Sequence, residues 1–457
     1  MSRTSRFAVL IACGAAWTWL SAAQAAGDRR LADAAERRDR AAVEALLNQR
    51  VDVNAPQADG ATALHWAAHW DDLTTVDRLI RAGANVNAAN ENGVTPLSLA
   101  CENANAPVTA RLLEAGANAN AALATGETPL MTAARTGSAE AVAALLAHGA
   151  DVQVREKTRG QTALMWAAAQ AHAAIVTALI ARGADVRARS TTGFTPLLFA
   201  ARAGDAGSAR LLVEAGAPID DPAADGSTPL LVATASNQEA VALWLLDHGA
   251  NPNLANEIGY TPLHAIVWKP SAKEGVIPPN GSVALVKALL AHGAKIGARL
   301  EKDPPALPGS YRFETGLAGA TAFWLAARAA NPEVMRALAA NGSDIEQGNK
   351  DGTTPLMVAA GVGQPQGPGS VPERQLLEGV EAALALGAQV NATNGNGQTA
   401  MHGAAGLGFN SIVKVLAGHG ANPALKDKRG QTPLDAAMRR KDALQSTIEL
   451  LNSLMGR

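Results

Sequence analysis

Apolar residues in this chain recur with a helical beat, and the beat stops and restarts every few turns. Between Gly126 and Ala150, Leu130, Ala133 and Ala134 share one helix face; after Gly137-Ser138, Val142, Leu145 and Leu146 share another. The start of the first helix has a local cause. Gly126 permits positive φ in a turn, Thr128 can accept a backbone N–H as a cap, and Pro129 suits the first helical position, where no N–H is needed. His148-Gly149-Ala150 ends the second helix through a glycine fitted to the left-handed cap position. The stretch therefore predicts a short antiparallel helix pair, followed by a hairpin loop that opens at Asp151.

The same pattern repeats along the chain. Glycines of the signature Gly-x-Thr followed by Pro or Ala fall at 60, 93, 126, 160, 193, 226, 259, 319, 352, 397 and 430, and seven of the ten intervals are 33 residues. Through Gly93-Val94-Thr95-Pro96-Leu97, Gly126-Glu127-Thr128-Pro129-Leu130 and Gly259-Tyr260-Thr261-Pro262-Leu263-His264, residues 28 to 457 resemble the ankyrin repeat family. The resemblance implies an all-α repeat solenoid of stacked helix-turn-helix units with short β-hairpin loops, and a role in protein–protein recognition. One unit cannot bury its own apolar face, so stacking on neighbours is obligatory. Residues 26–58 lack the glycine anchor but carry Leu31, Ala34, Ala35, Val43, Leu46 and Leu47 under arginines and acids, and read as an N-terminal capping repeat. Residues 59–428 are the repeats, and 429–457, with Arg439-Arg440-Lys441-Asp442 and Glu449, form a polar C-terminal cap. About twelve units, at roughly 8 to 10 Å each, predict a curved rod on the order of 100 Å long.

Three segments break the period: 269–282 and 363–375 between the two helices of a unit, and 300–317 within a hairpin. Pro270, Pro278, Pro279, Pro304, Pro305, Pro308, Pro365, Pro368 and Pro372 fall in them, which predicts loops rather than helical extensions. They read either as tolerated surface loops, because insertion costs little closure entropy, or as partner contacts, with Tyr311 in the long hairpin as a candidate. A third reading has that hairpin interrupt the stack near residue 300.

Composition narrows the function classes. With 39 Lys and Arg against 41 Asp and Glu, a formal charge of −2 and 48% hydrophobic residues, the chain is neither a polybasic nucleic-acid binder nor a charge-driven disordered chain. Arg3 and Arg6 precede a 14-residue apolar stretch, Phe7 to Leu20, and Ala23-Gln24-Ala25 has the small-x-small form of a signal peptidase site. Residues 1–25 are thus expected to be a signal peptide cut before Ala26, which takes the charge of the remainder to −4 and sends the protein to the periplasm or outside the cell. The competing reading makes Leu10-Ile11-Ala12-Cys13 a lipoprotein site. No later segment has 18 apolar residues without charge, so no transmembrane segment is expected, and Cys101 alone remains as a thiol.

Little here suggests catalysis. Of nine histidines, His65, His264 and His402 follow the helix-start signature, and His148, His248, His292 and His419 precede the helix-ending glycine; His172 lies in an inter-helix turn. His69 is left over, and with His65 it makes a His-x-x-x-His pair that could share a metal, the basis of an alternative reading as a hydrolytic or metal-dependent enzyme with a site there or in the insertions. No phosphate loop and no Gly-x-Ser-x-Gly elbow occurs, and no cofactor is expected.

Binding is the better reading. Aligned on their glycines, the first helices place His69, Glu102, Arg135, Ala169, Arg202, Ala235 and Trp268 in one column on the concave side, with Trp70 beside it. Mixed Trp and Arg is the composition of binding hot spots. Trp70, Glu102, Arg135, Arg202, Trp268, Phe194, Tyr260 and Tyr311 are the expected contacts of an unidentified protein partner, on a chain read as monomeric. Trp66, Trp166 and Phe199, one column over, read instead as packing between repeats. Arg155, Lys157 and Arg159 gather in one hairpin and Arg187 and Arg189 in the next, either as solvated charge or as a patch for an acidic partner.

Overall fold

The computed structural model describes residues 28–268, 282–304, 316–364, 371–439 and 444–456, and statements of absence refer to these. The signal segment 1–25, Cys13 and Tyr311 lie outside them. The chain divides into two compact units that meet in sequence between Pro218 and Ile219.

In unit 1 the helices come in pairs: α1 (Arg30–Glu36) with α2 (Arg40–Asn48), α3 (Ala63–His69) with α4 (Leu73–Arg81), α5 (Pro96–Glu102) with α6 (Ala106–Glu114), α7 (Pro129–Thr136) with α8 (Ala139–Ala147), α9 (Ala163–Ala169) with α10 (Ala173–Ala181), and α11 (Pro196–Ala203) with α12 (Ala206–Glu214). First helices pack on first helices, α1 on α3 and so on to α9 on α11, and second helices from α4 to α12 pack on one another as a second layer. The expected causes of helix initiation are in place: the Thr128 hydroxyl accepts from the Met131 N–H at 3.3 Å, with Pro129 in the first turn. Leu130, Ala133, Ala134, Val142, Leu145 and Leu146 are all buried.

Unit 2 repeats the scheme with α13 (Pro229–Ala235) and α14 (Glu239–Asp247), α15 (Pro262–Val267) and α16 (Val283–Ala291), α17 (Ala322–Arg328) and α18 (Pro332–Ala340), α19 (Pro355–Ala359) and α20 (Glu373–Ala385), α21 (Ala400–Leu407) and α22 (Asn410–Gly418), and α23 (Pro433–Met438) and α24 (Gln445–Leu454). Among the described residues twelve pairs match the expected unit count, and this is an all-α repeat architecture. The stack is not interrupted near residue 300. There α15 packs on α17 and α16 on α18, and Arg299 bridges Thr321 in antiparallel fashion. The long hairpin hangs from a pinned base: Leu300 N–H donates to Ala320 O at 2.9 Å, and the Asp303 carboxylate accepts from the Leu317 and Ala318 N–H groups at 2.7 and 2.8 Å. The insertion expected over 363–375 needs correction. Its last residues are helical, because α20 begins at Glu373 with Pro372 as its N-cap and runs 13 residues, where α18 runs 9. Proline bars a helix interior but serves well at its entrance, and the proline pattern could not separate the two.

Two ladders of hydrogen bonds join neighbouring repeats. At the hairpin tips, Lys157 N–H donates to Thr125 O and Thr191 N–H to Arg159 O, each at 2.8 Å; in unit 2, Lys350 donates to Ala318 O and Lys428 to Asn396 O at 2.8 and 2.9 Å. Near the outer-helix ends, Asn87 donates its side-chain amide to Gly116 O at 3.0 Å and accepts from the Asn118 N–H at 2.7 Å. Asn120 does the same to Gly149 O and the Asp151 N–H at 3.0 and 2.8 Å, and Asn391 to Gly420 O and the Asn422 N–H at 2.9 and 2.8 Å. One asparagine thus satisfies a helix-end carbonyl and a loop N–H of the next repeat.

In most units the first helix is followed by a residue in the left-handed region. Gly137 fills this position at φ 86°, and a Cβ there would lie 2.7 Å from the His172 ring, so a larger residue would also have to displace that ring. Other units place Ala104, Ala171 and Ala330 there, at φ 56°, 60° and 51°. Alanine in that conformation costs about 1–2 kcal/mol, which glycine avoids at an entropy cost of roughly 0.5–1 kcal/mol. Ala171→Gly should therefore leave stability unchanged or raise it by up to about 1 kcal/mol in urea unfolding, and a clear loss would show that the strain is relieved elsewhere.

Candidate functional site

Each first helix presents its last turn, and the hairpin of the same unit stands beside it. In unit 1 this juxtaposition forms a strip. At its start, the Trp70 ring lies 6.4 Å from Trp66 and 4.5 Å from His69, with the Arg38 guanidinium 5.3 Å from its centroid. The indole N–H of Trp70 donates to Glu36 O at 3.0 Å and that of Trp66 to Gln57 at 2.7 Å, which ties both rings to the N-terminal repeat. Trp66 is buried as expected of a packing residue, and Trp70 is half-buried.

Further along, Arg135 pairs with Glu102 across one repeat, is 3.7 Å from Glu127, and lies 5.6 Å over Trp166. Arg202 lies over two rings, Phe194 at 5.2 Å and Phe199 at 5.0 Å, which meet edge to face at 5.4 Å. Burial and the neighbouring charge of Arg159 hold the Arg202 guanidinium below the usual arginine range. Phe194 is half-buried, Phe199 is buried, and Arg202 and Glu102 are exposed. The recurring motif is an arginine laid across an aromatic ring, a contact worth about 0.5–1 kcal/mol at exposed sites. Arg38 and the Trp166 platform were not among the expected contacts, Arg38 because it lies in an inter-helix turn outside the aligned column; Arg159 was expected either as solvated charge or as part of a patch for an acidic partner.

Two expected contacts belong elsewhere. Trp268 and Tyr260 are only 6% and 3% exposed, so neither is presented to a partner. The cause is local. In α3, α5 and α13 the aligned column residue is helical, but α15 stops at Val267 and Trp268 is extended, at φ −147° and ψ 140°. Its carbonyl accepts from the Tyr260 hydroxyl, and the two rings meet edge to face at 5.5 Å. Burial raises the Tyr260 hydroxyl well above its usual range.

The histidines of the helix-start signature are structural. His65 accepts from the Thr62 N–H at Nδ1, 3.0 Å, and donates from Nε2 to Val94 O of the next repeat at 3.0 Å. His264 and His402 repeat this with Thr261 and Ala298, and with Thr399 and Gln431. With both ring nitrogens engaged, His65 has no lone pair left for a metal, which removes the geometric basis of a His65/His69 centre. The Cys101 thiol is likewise a poor nucleophile, since burial pushes it up to about 12. The hairpin arginines are anchored too: Arg155 donates to Arg189 O, Arg187 to Gly216 O at 3.0 Å, and Lys157 to Ala124 O at 3.2 Å.

A profile of ankyrin repeats in three copies matches residues 31–122, 109–190, 172–256, 276–366 and 373–453. Among curated proteins, XBAT35 of Arabidopsis thaliana, whose name assigns it to the E3 ubiquitin-protein ligases, is 34% identical over 23% of this chain and 21% of its own length. The B-cell lymphoma 3 protein homolog of Mus musculus is 32% identical over 27% of this chain and 25% of its own. A transient receptor potential cation channel subfamily A member 1 homolog of Caenorhabditis elegans is 26% identical over 43% of this chain and 16% of its own. This chain thus spans a quarter or less of the length of each of these relatives. Among the described residues no helix is long and apolar enough to cross a membrane.

The histidine bridges carry a pH prediction. Burial lowers all three imidazoles, His264 from 6.5 to about 4. Between those values the unfolded chain binds more protons at His264, so the stabilisation from that bridge is full above about 6.5 and is lost as pH falls through about 4. Urea midpoints measured from neutral to acid pH should fall more steeply for the native protein than for His264→Gln, and parallel curves would contradict the assignment.

Proposed function

Because the chain belongs to the ankyrin repeat family, we propose that it is a non-enzymatic scaffold that holds another protein along the unit 1 strip. The observation that carries this reading is the set of arginine–aromatic pairs near the first-helix ends of unit 1: Arg38 with Trp70, Arg135 with Trp166, and Arg202 with Phe194 and Phe199. Idle solvated helix ends more often carry lysine and glutamate, whereas binding hot spots favour Trp, Tyr and Arg. Each side chain is fixed by packing or by an ion pair before any partner arrives, so little ordering entropy opposes association. The named relatives include a ligase and a channel, and each matches over less than half of this chain and a quarter or less of its own length; none lends it an activity.

Trp70, Glu102, Arg135, Phe194 and Arg202 are the contacts this reading retains. Crosslinking in the native cell, followed by affinity capture, should recover one protein in stoichiometric yield, and that yield should fall about tenfold or more with Phe194→Ala combined with Arg202→Ala. Recovery unaffected by the pair, or no specific recovery, contradicts the scaffold reading.

The chain is further proposed to be exported, on the strength of Arg3, Arg6, the apolar run Phe7–Leu20 and Ala23-Gln24-Ala25. Mass spectrometry of the native protein should find a new N-terminus at Ala26. An intact Met1 start on the accumulated protein excludes signal peptidase cleavage.

A further inference from the structure

One corner of unit 1 carries charge that the fold does not neutralise. Arg155, Lys157, Arg159 and Arg187 sit in two adjacent hairpins joined by the Thr191 N–H to Arg159 O bond, and all four are exposed. Three of them are positioned by hydrogen bonds to carbonyl oxygens, Arg155 on Arg189 O, Lys157 on Ala124 O and Arg187 on Gly216 O. A carbonyl fixes a guanidinium without cancelling its charge. Among the described residues no carboxylate lies within ion-pair distance of any of the four.

The acids of these hairpins are committed to backbone. Glu156 is buried and accepts from the Thr158, Arg159 and Gln161 N–H groups at 2.7, 2.7 and 3.0 Å. Burial alone would raise its carboxyl, but a hydrogen bond from the Thr158 hydroxyl together with these amides outweighs that and lowers it. Asp151 and Asp185 accept from the Gln153 and Arg187 N–H groups, at 2.8 and 2.9 Å. From Val186 to Gly204 the sequence has no acid at all. Onto this corner the first helix α11 brings Arg202, close enough to Arg159 for the two like charges to repel, with half-buried Phe194 beneath it.

Like charges held together on an aromatic floor favour an anionic visitor. Deepening the scaffold reading on which it rests, we propose that this corner takes an acidic peptide segment of the partner, its carboxylates on Lys157, Arg159 and Arg202 and an apolar side chain against Phe194. A protein carboxylate suits the site better than a nucleic acid. The cations span only two hairpins, and base stacking needs an open ring face, whereas Arg202 already lies over Phe194 and Phe199 at 5.2 and 5.0 Å.

The test is fluorescence anisotropy of the full chain with fluorescein-labelled octaglutamate at low salt, beside octalysine and a single-stranded oligonucleotide. Octaglutamate should bind, octalysine should not, and affinity should drop about tenfold or more in Lys157→Glu combined with Arg159→Glu, a change equivalent to about 1.4 kcal/mol. Both substitutions lie on exposed hairpin positions, and an unchanged melting midpoint verifies the fold. No octaglutamate binding, or binding indifferent to the reversal, overturns the proposal; so does an oligonucleotide bound more tightly through the same residues. Because the probe is synthetic, failure here leaves the scaffold reading standing, and failure of the capture experiment leaves this result standing.

Discussion

No helix pair of this chain can bury its own apolar face, and everything else in the structure follows from having to share it. Leu145, Leu164, Leu212 and their equivalents are fully buried only because a neighbouring pair lies across them. Apolar stacking is tolerant of sliding, so the register between repeats needs directional contacts. The hairpin amides, the asparagine clamps at Asn87 and Asn120, and the imidazole bridges from His65, His264 and His402 supply them. Each satisfies a backbone group that the loop would otherwise leave open.

That arrangement explains why the helix ends of unit 1 are suited to recognition. Side chains one repeat apart stand at a fixed spacing and can be paired across it, as Arg40 is with Asp72, Arg111 with Asp77 and Arg135 with Glu102. Exposed pairs of this kind add little to stability. Their effect is to hold a polar, ring-backed surface in one conformation, so that binding energy is not spent on ordering it.

Much of this was legible in the sequence, because the signals are local. The glycine, threonine and proline of each signature fix where a first helix starts, and the 33-residue interval predicts the pairs found in both units. The asparagine clamps were visible as Gly-Ala-Asn-x-Asn at Gly83 and Gly116, although nothing in the spacing says what the second asparagine bonds. The failures were long-range. Trp268 was placed by counting from Gly259, and the count assumes a helix that in fact ends one residue earlier, ahead of an insertion. Likewise the prolines of 363–375 announce irregular chain without showing that Pro372 opens an extended helix. Two of the arginine–aromatic pairs lay hidden for a similar reason: Arg38 and Trp70, and Arg135 and Trp166, belong to different repeats, and only stacking brings them together.

Hydrogen–deuterium exchange of the full chain, read at single amides, tests most directly whether the repeats are locked through these cross-repeat bonds. The amides of Asn118, Asp151, Lys157 and Thr191 all lie in loops and all donate to a neighbouring repeat. If the account holds, they exchange as slowly as the helical amides around them, in contrast to loop amides such as Arg155, for which the structure gives no cross-repeat acceptor. Exchange of all four at the rate of an unstructured peptide would contradict it, and would mean that the hairpins move freely on a stack held by apolar contact alone.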